Sequence, residues 1–385
     1  MNIWLDAAFW VGLALAASII SVRLGISVAM VEIMVGVIGG NFLGLHTTPW
    51  VDFLAGFGSI LLTFLAGAEV DPVVLRTKFK ESVIIGSVAF LFPFLACFAY
   101  AYYVAGWTLA ASEIAGIALS TTSVAIVYAV MVETGYNATD LGKIILAACF
   151  VNDLGTVLAL GILFAHFNSW LYLFIAITVI GLILVYKFTG PVVKALGGRV
   201  SQAEVKYVYF VLFLLGGLAL KANSEAVLPA YLLGLALATL LDREKDMVYR
   251  MRTSAFALLT PFFFLKAGLL ISLKALWVGI ALILIFLAVK IAAKFIGVLP
   301  LTKLFRFGKR ESMYTTLLMS TGLTFGSISA MFGLTHNIIS QSQYSILVTG
   351  VVLSGVIPTL IAQGFFLPDR EPEDLLVAKP KQEFN

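Results

Sequence analysis

The sequence predicts an all-α integral membrane protein of about 13 transmembrane helices, arranged as two inverted six-helix repeats. Three observations carry this. Hydrophobic residues make up 61% of the 385 residues and charged ones 12%, and the mean hydropathy is +1.03. Apolar runs long enough to cross a bilayer recur from one end of the chain to the other. Apolar and polar residues do not alternate over short strands, so the pattern of a membrane β-barrel is missing.

Charge clusters and Gly, Pro or Asn breaks place the spans at 7–22, 27–44, 53–69, 82–104, 113–133, 139–164, 169–188, 204–221, 226–241, 253–270, 274–299, 311–334 and 341–367. The start, MNIWLDAAFW, has neither a basic n-region nor a small-residue cleavage site, so the first span is read as retained. The transmembrane domain then covers 1–368, and the polar, Pro-containing tail 369–385 is expected to be disordered in the cytoplasm. A nucleotide-binding regulatory domain would need a Gly-rich turn after a strand, and none is present in this chain.

Lysine and arginine set the orientation. Arg76, Lys78 and Lys80; Lys187, Lys194, Arg199 and Lys206; Arg243, Lys245, Arg250 and Arg252; and Lys303, Arg306, Lys309 and Arg310 all follow odd-numbered spans. The positive-inside rule puts these clusters in the cytoplasm, the N-terminus outside and the C-terminus inside. Trp4, Trp50, Trp107, Trp170 and Trp277 fall at the outer ends, where amphipathic rings favour the headgroup layer. The net charge of +4 is this scattered loop charge, so no nucleic-acid partner is expected. The lipid bilayer is the surrounding medium.

The residues that carry chemistry concentrate at 146–160, LAACFVNDLGTVLAL, with Asn152 and Asp153 near mid-depth of the sixth span. An ionisable residue there is costly and marks an ion path, a proton relay or a substrate site. A carboxylate holds a proton or a hard cation with the same oxygens, so the two compete for Asp153, which is enough for obligatory exchange. The competing reading is a structural carboxylate paired with a buried lysine. Asn152 brings no charge; it either ligands the cation or holds a break in the fifth span.

That break is expected in ALSTTSVAI, where Ser120, Thr121, Thr122 and Ser123 stand together. The twelfth span carries a counterpart, LMSTGLTFGSISAMFG, with Ser320, Thr321, Gly322, Thr324, Gly326 and Ser327. Weak helix formers with hydroxyls able to replace freed backbone hydrogen bonds suit helices that unwind inside a membrane. Taken singly, either stretch is equally a small-residue packing face. Spans one to six (about 1–164) and eight to thirteen (about 204–367) form halves related by the linker span 169–188, and both stretches occupy the fifth span of a half. Interrupted segments in corresponding positions of inverted halves point to a transport site.

In the eleventh span, Lys290 and Lys294 lie four apart on one helix face; one meets the ion site and the other snorkels inward. Lys266 is also read as snorkelling, Glu69 as a solvated interfacial carboxylate, and Glu32 is left without a role. Cys97 and Cys149 behave as small hydrophobes, and His46, His166 and His336 fall in outer loops without metal-ligand spacing.

On these residues the chain resembles the monovalent cation/proton antiporters, in particular the bacterial sodium/proton antiporter and Kef-type branch of the second antiporter family. The resemblance rests on FLAGAEVDP, ALSTTSVAI followed by VETG, VNDLGTVLAL, LPAYLLGLALA, PFFFLKAGLLIS and AAKFIG before a glycine-broken span, in order over nearly the whole chain. It implies a homodimer in the bacterial inner membrane, with a dimerisation domain and a mobile core. Two discontinuous helices would cross beside the acidic pair, and the core would slide in an elevator-like movement. It implies no cofactor beyond the transported cation and proton. By position, Asp153 falls on the essential aspartate that binds Na+, Thr121 to Ser123 on one unwound segment and Ser320 to Thr324 on the other. Counting back from Gly322 puts the core lysine at Lys294, whereas depth alone favours Lys290. Electrogenic members carry Asp-Asp where this chain has Asn152-Asp153, a form that in related branches goes with electroneutral exchange. Those branches commonly place arginine where this chain has lysine.

The expected function is secondary active exchange of Na+ or Li+, with K+ a further candidate, for H+, serving pH homeostasis. An intramembrane hydrolase is not expected, since no histidine lies at depth and Asp153 lacks a second catalytic aspartate. A passive channel would need a continuous polar lining. The alternative kept is a sodium-coupled organic-anion transporter on a similar inverted-repeat fold, which would show a wider polar cavity.

Overall fold

A long apolar run in lipid can satisfy its backbone only within itself, so helix is the expected outcome for each predicted span. The computed structural model describes residues 3–24, 28–68, 78–134, 136, 139–164, 169–196, 201–221, 226–241 and 243–368. Glu69, Arg76, His166, Arg199 and the tail 369–385 lie outside the described residues, as does the side chain of Trp170.

The helices are α1 (Ile3–Leu24), α2 (Val28–Phe42), α3 (Pro49–Ala68), α4 (Phe79–Ala99, prolonged by a π-helical turn, Tyr100–Val104), α5 (Leu109–Ser120), α6 (Val124–Thr134), α7 (Asp140–Leu163) and α8 (Ser169–Leu196). They continue with α9 (Ala203–Lys221), α10 (Val227–Leu241), α11 (Lys245–Ser254), α12 (Thr260–Leu269), α13 (Leu273–Leu304), α14 (Lys309–Met319), α15 (Thr324–Thr335) and α16 (Gln341–Phe365). Among the described residues, eight helical runs, counting α14 with α15 as one, are long and apolar enough to cross a membrane; α2, α5 and α10 are shorter apolar helices.

Three boundaries differ from the sequence expectation. α8 continues past 188 to Leu196 and α13 past 299 to Leu304, each with a proline, Pro191 or Pro300, inside its last turns. The charged stretch before the tenth span is itself helical, and α11 joins α12 through a π-helical turn, Ala255–Leu259. Charge clusters mark where lipid ends, and a helix can continue beyond that point.

The chain forms two compact units, one of Met1–Pro72, Val157–Val278 and Gln341–Ser345, the other of Val73–Thr156, Gly279–Ser340 and Ile346–Asn385. In the first unit α2 lies along α12 and α3 along α10, at backbone contact distance. A Cβ at Gly268 would overlap the Ile33 carbonyl, and one at Gly234 would overlap the carbonyl of Phe64. Small residues allow this approach, which is what dispersion-driven packing in lipid needs. Lys266, read from sequence as snorkelling, directs its Nζ to Asp52 Oδ1 at 2.7 Å, because the start of α3 brings a partly exposed carboxylate alongside. Glu32 is buried, and its Oε2 has no hydrogen-bond partner among the described residues.

In the second unit α4 packs on α5, and α5 on α15. Lys78 pairs with Asp140 at 2.8 Å, and the buried Tyr136 hydroxyl donates to the Pro368 carbonyl at 2.6 Å. Cys97 and Cys149 are buried and free.

Substituting Gly268→Ala is expected to cost about 1–3 kcal/mol, the usual penalty for overpacking a closed contact. Gly12→Ala, on α1 with nothing within 4 Å of the new methyl, should be neutral or slightly stabilising. Thermal unfolding of the two purified variants in one detergent checks the contrast.

Candidate functional site

Two helices of the second unit are interrupted, and the local sequence explains both interruptions. α5 starts under a Thr108 cap, whose Oγ1 accepts from Ala111 N at 3.3 Å, and ends at Ser120. Thr121 then turns extended, with φ −61° and ψ 152°, and helix resumes at Val124. The hydroxyls of Ser120 and Thr121 donate to the Ile117 and Ala118 carbonyls at 2.8 and 3.0 Å, occupying acceptors that the missing next turn would have filled. α14 ends in the same manner. The Ser320 hydroxyl donates to Thr316 O and the Thr321 hydroxyl to Leu318 O, both at 2.7 Å, before α15 opens at Thr324.

The two breaks meet. Thr122 Oγ1 donates to Met319 O at 2.9 Å, and Ser123 N donates to Thr321 Oγ1 at 3.3 Å. Each unwound segment therefore supplies partners for the other.

Asn152, on α7, completes the arrangement. Its Oδ1 accepts from Thr122 N at 2.9 Å and its Nδ2 donates to Ser120 O at 3.2 Å. Of the two roles open to it from sequence, holding the break is the one its geometry serves, since both ends of the amide are committed to backbone. The next residue, Asp153, is 1% exposed, and its Oδ1 has no hydrogen-bond partner among the described residues. Asp153 forms no ion pair within 4.0 Å there, so the structural carboxylate–lysine pair is not what this structure holds.

Both lysines of α13 are fully buried, contrary to the expectation that one snorkels. Lys294 Nζ donates to Thr122 Oγ1 at 3.0 Å and lies within electrostatic reach of Asp153. Lys290 Nζ donates to Thr121 O at 3.2 Å and to Ser354 Oγ at 2.8 Å. Snorkelling fails here because the broken segments present oxygen to both ammonium groups at depth, and neither has to reach the headgroups.

Ser120 to Ser123, Asn152, Asp153, Lys290, Lys294, Ser320 and Thr321 are thus all buried in one unit; Gly322 lies in the second break, and Thr324 opens α15 behind it. Two participants escaped sequence reasoning. Ser354 is one of several hydroxyls on α16, with Ser342, Ser345, Thr349 and Thr359, so nothing in the sequence singles it out, and the Met319 carbonyl is backbone, which no side-chain pattern announces.

A buried carboxylate with one oxygen unpartnered among the described residues, beside two interrupted helices in a multi-pass chain, is the pattern of an ion-coupled secondary transporter. The sodium/hydrogen exchanger transmembrane family model matches residues 11–366, and the chain belongs to that family of monovalent cation/proton antiporters. The probable Na+/H+ antiporter 3 of Methanocaldococcus jannaschii is 26% identical over 351 residues, 89% of this chain and 90% of its own length. A Na+/H+ antiporter of Enterococcus hirae is 28% identical over 373 residues, 90% of this chain and 93% of its own. The solved sodium proton antiporter MjNhaP1 of M. jannaschii superposes with a TM-score of 0.70 over 98% of this chain and 99% of its own, at 16% identity, a likeness of fold.

Truncating Asn152→Ala leaves Thr122 N–H and Ser120 C=O buried without partners, at about 1–3 kcal/mol for each orphaned group. A lowered melting temperature of the purified variant is the expected result. An unchanged one would mean that water or another side chain takes over both bonds.

Proposed function

We propose that the protein exchanges Na+ or Li+, with K+ as a further candidate, for H+ at Asp153, one cation for one proton. The observation that carries this reading is the uncommitted Asp153 oxygen beside an Asn152 whose amide is already bonded to backbone. One buried carboxylate, with no second buried acid among the described residues of the second unit, gives one place for one charge, so cation and proton exclude each other and the exchange is electroneutral. Hydroxyl and carbonyl oxygens of the neighbouring breaks are proposed to complete the ligand set, which suits a hard monovalent cation.

Alternating access is proposed to be elevator-like, with the second unit carrying the site. The first unit draws on spans one to three and eight to ten, and the second on spans four to six and eleven to thirteen, as expected if 1–164 and 204–367 are inverted repeats around the linker helix. The protein is proposed to work as a homodimer in the cell membrane, N-terminus outside. A sodium-coupled organic-anion transporter is not favoured, since the relatives above are cation/proton antiporters by name.

In proteoliposomes, Na+, Li+ and K+ added separately against a pH gradient should each be tested for dequenching of a trapped pH dye. Asp153→Asn is expected to reduce every response to background, and full exchange by that variant would remove the core of the proposal. With wild type, lowering the pH should raise the half-saturating cation concentration by up to about tenfold per unit, the limit for one proton competing with one cation. A voltage-sensitive dye should register no potential, and a potential generated without other ion gradients would rule out one-for-one exchange.

A further inference from the structure

Exchange at Asp153 leaves one buried group of the second unit without a task. Lys290 and Lys294 stand one helical turn apart, but their surroundings differ. Lys294 touches the first break and reaches Asp153 electrostatically. Lys290 stands where three strands of structure converge: the Thr121 carbonyl of the first break, the Ser354 hydroxyl of α16, and Gly322 of the second break. A Cβ on Gly322 would lie 2.5 Å from Lys290 Nζ, 3.0 Å from Ser354 Oγ and 3.1 Å from Thr121 Oγ1, so the second break passes directly over the ammonium.

The hydrogen-bond directions are consistent throughout. Ser354 Oγ donates to its own helix at Val351 O, 2.7 Å away, and so faces Lys290 with a lone pair. Thr121 O is a carbonyl at the end of α5, where the negative end of the helix dipole favours a cation. Among the described residues no carboxylate lies within 4.0 Å of Lys290. The titratable groups around it are Lys294 on its own face and the buried thiol of Cys97 on α4; Cys149 and Asp153, on α7, lie near Lys294 instead.

We propose that Lys290 is a positioning residue of the exchange site: a cation bonded to the Thr121 carbonyl and the Ser354 hydroxyl that fastens the first break to α16 beneath Gly322 of the second, and that takes no part in the proton exchange. This rests on Asp153 being the exchange site. Lys290 holds the Thr121 carbonyl and packs under Gly322, so its loss loosens both breaks and the ligand geometry they provide while leaving the competition at Asp153 intact.

The test uses sodium-dependent dequenching in proteoliposomes across a pH series, with Lys290→Met, Lys294→Met, Gly322→Ala, the double variant Lys290→Met/Gly322→Ala, and Asp153→Asn run in parallel. Lys290→Met is expected to raise the half-saturating Na+ concentration about tenfold or more, with the pH midpoint at saturating Na+ unmoved. Lys294→Met is expected to move that midpoint. Gly322→Ala, which displaces the ammonium, should reproduce the Lys290→Met effect, and the double variant should be no worse than either single one, as coupled neighbours behave. A wild-type half-saturation in Lys290→Met, a shifted midpoint, or full additivity in the double variant would each overturn the proposal. If Lys290→Met yields no folded protein, Gly322→Ala decides by the same readout. Retained exchange in Asp153→Asn overturns the site assignment instead, so the two failures are separable.

Discussion

A helix interrupted within a bilayer exposes backbone donors and acceptors where water is scarce, and each one left unpaired costs about as much as a lost buried hydrogen bond. The second unit answers this requirement by setting two interruptions against each other. Thr122 gives its hydroxyl to the end of α14 and Thr321 gives its oxygen to the start of α6. Asn152 bridges the remaining amide and carbonyl of the first break. The rest of the site depends on this mutual satisfaction, because it allows polar backbone to persist at depth without flooding the unit.

Once the breaks are satisfied, the charges sort themselves. Among the described residues of the second unit, the buried Asp, Glu, Lys, Arg and His side chains are Asp153, Lys290 and Lys294. The lysines find oxygen in the breaks and in Ser354, whereas one Asp153 oxygen finds nothing. An unpaired acceptor at this depth is a place for a proton or a cation. Both units use glycine to bring helices to backbone contact, at Gly234 and Gly268 in the first and at Gly86 and Gly326 in the second, and what differs is charge: in the first unit Lys266 and Arg250 are in ion pairs with Asp52 and Glu204.

Much of this was legible in the chain. Apolar length located the helices, and hydroxyl clusters in two spans located the breaks to within a residue or two, since Ser and Thr are weak helix formers that can bond a freed carbonyl. The helix ends were less legible. Lys187 and Lys194 suggested an exit from lipid near 188, yet α8 runs on to Leu196, because a charge limits burial and not helix formation. Lys266 and Lys290 have partners that no local pattern announces, since Asp52 and Ser354 are 214 and 64 residues away.

By itself the sequence determined that the chain lives in a membrane as helices, that a carboxylate sits at mid-span, and that two spans are interrupted, because hydropathy, charge and helix propensity are properties of neighbouring residues. Only the tertiary structure decided that Asn152 bonds the break while one Asp153 oxygen meets no partner among the described residues, and that both lysines are held at depth. Those outcomes depend on which hydrogen-bond partner each group meets across the fold, and a partner 30 or 170 residues away leaves no trace in local pattern.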